Sequence, residues 1–131
     1  MAVTIESVNS WLAAYVRAWE TYDRAAIAAL FSRDATYRYH PFDESIRGQQ
    51  AIVESWLEDA RQDPPGTYAA AYEAIAIDGD LAVAHGRSRY YSDSTRTSLV
   101  RQFDNIFVLR FDDDGRCSSF EEWYMGPRGQ T

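Results

Sequence analysis

A chain of 131 residues that is 46% hydrophobic and 15% aromatic has the length of one domain and ample material for one core, with no room for a second. A formal charge of -7 argues against binding through nucleic acid phosphates or an anionic membrane surface, since both reward clustered basic residues. Cys117 is the only cysteine, which excludes an intrachain disulfide and a Cys-rich zinc site and fits a reducing cytoplasm.

The N-terminus reads Met-Ala-Val-Thr-Ile-Glu, with no basic region ahead of an apolar stretch, so a soluble, untargeted, cytoplasmic protein is expected. Val8, Trp11, Leu12, Tyr15, Val16 and Trp19 recur at helical spacing, which predicts an amphipathic helix from Ile5 to Glu20. Asp23 caps a short second helix from Arg24 to Phe31, and Ser32-Arg33-Asp34 breaks it. Ala35 to Tyr39 suits a strand ending at His40-Pro41, and Phe42 to Arg47 reads as loop. A third helix follows Gly48, from Gln49 to Gln62, and stops at Asp63-Pro64-Pro65-Gly66.

Beyond that break the period changes to alternation, which predicts strands at Thr67 to Ile77, Leu81 to Ser92, Leu99 to Phe111 and Arg116 to Met125. Asp78-Gly79-Asp80 and Asp112 to Gly115 are turns, Asp93 to Ser98 is a hairpin loop, and Pro127 to Thr131 reads as a loose tail. Three helices followed by an antiparallel meander give an α+β fold with the helices on one sheet face.

The order of these elements, with Ala14-Tyr15-Val16, the Asp23 to Phe31 helix running into Asp34-Ala35-Thr36, Pro41, Gly48 with Ala51-Ile52, and Phe103-Asp104-Asn105, resembles the nuclear transport factor 2-like superfamily. Within it, the ketosteroid isomerase and polyketide cyclase (SnoaL-like) branches are the most similar. The resemblance implies one cone-shaped domain over residues 1–131, with three N-terminal helices packed on a curved, mainly antiparallel sheet around an internal pocket. It further implies that Tyr15 and Asp104 sit where that branch polarises a substrate oxygen, and that the position of its carboxylate base falls on Tyr39 or His40. Neither is a carboxylate, so isomerisation by the same base is not expected.

Asp104 lies in an otherwise apolar strand, where burial would raise its pKa and make it a hydrogen-bond donor to a developing oxyanion; the alternative is an ion pair with Arg87, Arg89 or Arg101. Tyr15 is on the apolar stripe of the first helix, so its ring is expected in the core whatever its hydroxyl does. His40 could move a proton at neutral pH or simply cap a loop. His85, Arg87 and Arg89 alternate onto one strand face, where the resemblance turns them toward the pocket to receive an anionic or enolate-like ligand; the alternative pairs them with Glu121 and Glu122 outside it. Trp19, Tyr37, Tyr39, Trp56, Glu122 and Tyr124 complete the candidate lining.

No His-rich or Cys-rich spacing suggests a metal, no glycine-rich phosphate loop occurs, and no cofactor is expected. Three functions fit. One is a cofactor-independent isomerase, cyclase, lyase or hydrolase acting on a small, largely apolar oxygenated molecule. Another is a ligand-binding protein without turnover. The third is a dimerisation module pairing two copies through Phe103, Phe107 and Phe111; a homodimer is expected in any case.

Overall fold

The computed structural model of the protein describes residues 2–130. Helix α1 (Ile5–Thr21) opens on a reciprocal cap, in which the Thr4 hydroxyl accepts from the Ser7 backbone N–H and the Ser7 hydroxyl accepts from that of Thr4. Helix α2 (Arg24–Leu30) opens on Asp23, whose carboxylate accepts from the Ala26 N–H at 3.1 Å. Both starts satisfy backbone donors that would otherwise lack partners.

Helix α2 ends before Ser32 as expected, but Ser32 to Asp34 are strand rather than a separate break, because Phe31 passes directly from α2 into strand β1 (Phe31–Arg38). Phe31 pairs with Cys117 and Thr36 with Ser119, with an irregularity between the two pairs that absorbs the polar residues. Pairing with a strand more than 80 residues further on overrides local composition here. Part of the expected loop is strand β2 (Ile46–Arg47), which pairs with Thr36 and Tyr37.

Helix α3 (Gln49–Asp59) ends three residues before the expected Gln62, and a turn occupies the difference. Strands β3 (Tyr68–Asp78), β4 (Leu81–Tyr91), β5 (Leu99–Phe111) and β6 (Cys117–Met125) form the expected antiparallel meander. The sheet order is β2-β1-β6-β5-β4-β3, with β1 parallel to β6.

Helices α1 and α3 cover one face of this sheet by packing on β3 and β1. The core lies between, where Val8, Leu12, Ile27, Phe31, Ile52, Phe107 and Phe120 are buried. Phe103, Asn105, Phe107, Leu109 and Phe111 of β5 point into that covered side, and Asp104, Ile106 and Val108 point away. Phe103, Phe107 and Phe111 are therefore not an exposed pairing face, which corrects the expectation for a dimer built on them.

The tail is also less loose than its composition suggests. Gln130 accepts from the Gln102 backbone N–H and donates to its carbonyl, at 3.0 and 2.9 Å, while Thr131 lies outside the described residues. Among the described residues, no helix is long and apolar enough to cross a membrane.

Candidate active site

A cavity of about 360 Å³ lies between the covered sheet face and helices α1 and α3. Ten of its seventeen lining residues are aromatic, which follows from the aromatic excess of the sequence: the rings wall the space without filling it. Tyr15 and Trp19 come from α1, Trp56 and Asp59 from α3, Tyr72 from β3, Ser88 and Tyr90 from β4, and Asn105 and Glu122 from β5 and β6.

The polar centre is a directed chain. The Ser88 hydroxyl donates to Asn105 Oδ1 at 3.1 Å, which turns the amide so that Nδ2 donates to Glu122 Oε2 at 2.7 Å. Glu122 Oε1 has no hydrogen-bond partner among the described residues, and the residue lines the cavity. Burial pushes the Glu122 carboxyl up to about 7, with the Asn105 hydrogen bond pulling the other way. A carboxyl poised there can give or take a proton at neutral pH.

Two phenols meet above this chain, with the Tyr15 and Tyr37 hydroxyl oxygens 3.3 Å apart. Burial holds both well above the usual phenol range, so both remain neutral donors. Tyr15 is fixed by stacking on Phe120 at 5.6 Å and by edge contacts with Trp56 and Phe107. Trp56 Nε1 is buried without a hydrogen-bond partner among the described residues. Tyr72 crosses β4 at Gly86, where any Cβ would collide with the Tyr72 ring and the Ala71 carbonyl.

Gln62, Asp63 and Arg101, exposed or half-buried, also line the cavity. Arg101 lies over the Tyr90 ring, 4.2 Å from its centroid, and pairs with Asp63 at 3.3 Å. Tyr39 bonds Ser55 at 3.0 Å and also holds Asp59, whose carboxyl is raised chiefly by burial.

Of the expected site residues, the structure brings Tyr15, Trp19, Tyr37, Tyr39, Trp56, Glu122 and Tyr124 to this cavity. It does not bring Asp104 there. Asp104 is half exposed on the uncovered sheet face, where His85 Nε2 lies 3.0 Å away and Arg87 Nε donates at 3.3 Å; its carboxyl is lowered first by the His85 hydrogen bond. The physical reason is the two-residue side-chain period, which sends Asn105 inward and its neighbour outward.

His85, Arg87 and Arg89 share the uncovered face, so the row expected to receive an anion points away from the cavity, and its observed partner is Asp104 rather than Glu121 or Glu122. His40 belongs to a separate groove with Asp104, Phe42 and Trp123, and its Nδ1 accepts the Phe42 backbone N–H at 3.1 Å. Asn105, Ser88, Tyr72, Asp59 and Arg101 were not among the expected site residues. A polar Asn within an apolar strand was the one signal available for Asn105. Among the described residues, no group of three or more His, Cys, Asp or Glu could hold a metal ion.

The SnoaL-like domain family model matches residues 12–120, which is most of the chain. No curated protein matches. Among solved structures, a provisionally assigned ketosteroid isomerase of Kribbella flavida DSM 17836 superposes with a TM-score of 0.68 at 16% identity, over 97% of this chain and 84% of that one. At that identity the likeness establishes the fold, a helix-covered curved sheet of the nuclear transport factor 2-like type.

Proposed function

Because the chain belongs to the SnoaL-like domain family, we propose that it is a cofactor-independent enzyme that moves a proton on a small, largely apolar oxygenated molecule held in the aromatic cavity. Glu122 is the proton-transfer group. The observation that carries this reading is a half-buried carboxyl in the cavity lining with one oxygen held by Asn105. Tyr15, backed by Tyr37, donates to the substrate oxygen as it gains charge. Isomerisation of an enone and cyclisation of a polyketide both begin with such an enolisation, so either fits this constellation.

Relative to the sequence expectation, proton transfer moves from His40 or His85 to Glu122, Asp104 loses its share in polarising the substrate oxygen, and the role of Tyr15 is retained. The test is deuterium uptake at the α-carbon of cyclohexanone and cyclohexenone in heavy water, followed by proton NMR. Acceleration by the wild type, its loss in Glu122→Gln and its retention in Asp104→Asn support the reading. Binding of these ketones without any acceleration would instead favour a ligand-binding module.

The same reading includes a homodimer formed through the uncovered face, where Trp123 and Met125 are exposed beside the half-buried Ile106. Sedimentation of the wild type against Met125→Glu tests it, with a dimer expected for the first and a monomer for the second.

A further inference from the structure

The charged residues of the cavity are Asp59, Asp63, Glu122 and Arg101. Arg101 is already engaged, paired with Asp63 and laid over Tyr90, so among the described residues no unpaired cation remains on the wall. The other basic residues once expected to receive a ligand, His85, Arg87 and Arg89, lie on the far face of the sheet. The cavity therefore presents carboxyls and ring faces, and an anionic ligand would find nothing to neutralise it.

Asp59 stands in the cavity lining at the last turn of α3, beside Tyr39 and within electrostatic reach of Tyr22. Those rings are held in place: Trp19 Nε1 donates to the Tyr22 hydroxyl at 3.0 Å, and Trp19 stacks on Tyr68 at 4.3 Å. A carboxylate framed by fixed aromatic rings is a binding site for an organic cation, through ion pairing and attraction to the ring faces. The protein's charge of -7 adds long-range attraction of the same sign.

We propose that the ligand carries a protonated amine in addition to its oxygen function, with the ammonium group seated at Asp59 and the oxygen directed to Tyr15 and Glu122. The oxygen end rests on the reading of Glu122 given above, whereas the amine end stands on the charge and ring arrangement alone.

The test uses three phenols of one frame that differ only in the tail: 4-(2-aminoethyl)phenol, 4-(2-hydroxyethyl)phenol and 4-hydroxyphenylacetate. Calorimetric titration of the wild type should show the amine binding roughly tenfold tighter than the alcohol and the carboxylate not binding. In Asp59→Asn the amine should fall to the level of the alcohol, with alcohol binding kept. In Asp63→Asn, which frees Arg101, the amine advantage should shrink and the carboxylate should begin to bind.

Equal affinity for amine and alcohol, or tightest binding of the carboxylate, overturns the inference while leaving the Glu122 reading intact. An amine preference lost in Asp59→Asn upholds it, even where the ketone exchange assay fails and removes the catalytic reading. No binding of any of the three overturns it.

Discussion

Asn105 and Glu122 meet across β5 and β6 with 2.7 Å between amide nitrogen and carboxylate oxygen, while their sequence neighbours Asp104 and Glu121 lie on the opposite face of the same sheet. The sheet thus sorts two pairs of adjacent polar residues into two environments. One Glu becomes a cavity-lining acid whose pKa is raised, and the other an ion-pair partner of Arg38.

Glu122 ties stability to pH. Its folded-state pKa is raised from 4.5 to about 7, so the folded protein binds this proton more tightly than the unfolded chain does. The resulting stabilisation is complete below pH 4.5 and is lost as the pH rises through about 7. Glu122→Gln removes that loss. Urea unfolding should show the variant gaining on the wild type by about 3 kcal/mol between pH 4 and pH 8.

Asn105→Leu leaves Glu122 without its donor and the Ser88 hydroxyl without its acceptor. A loss of about 1–3 kcal/mol at pH 8 is expected in the same unfolding assay. The Glu122 carboxyl should titrate higher than in the wild type, readable by carbon-13 NMR of the side chain.

Gly86→Ala drives a methyl group into the Tyr72 ring and the Ala71 carbonyl. Backbone on one side and a packed aromatic on the other leave little room to yield, so a cost of about 2–4 kcal/mol is expected. The melting temperature and the near-ultraviolet tyrosine dichroism report it.

Asp104→Asn removes a half-exposed carboxylate from its contacts with His85 and Arg87. Such pairs are screened by solvent, so stability should change by no more than about 0.5 kcal/mol. Ligand affinity in the cavity should be unchanged, and a large drop would contradict the sorting of faces described here.

Long periodic segments were legible in the chain because their hydrophobic pattern is local. The bounds of β5 follow from alternation running between a polar hairpin loop and an aspartate-rich turn. The α2 to β1 junction was not legible, since Phe31 serves both elements and the strand pairing that recruits Ser32 to Asp34 comes from Cys117 to Glu121. The inward face of β5 was equally hidden, because Ile106 and Val108 on one side are as apolar as Phe107 and Leu109 on the other. With that face ambiguous, Asp104 and Asn105 could not be told apart by pattern, and Glu122 was legible as a lining residue but not as the acid.

The parallel pairing of β1 with β6 also constrains how the molecule assembles. A strand that begins at Phe31 finds its main partner only when Cys117 to Met125 is present, so the three helices cannot settle on a finished sheet during synthesis of the first hundred residues or so. Because β6 also carries Glu122, the cavity acquires its acid in the same step that brings β1 into the sheet.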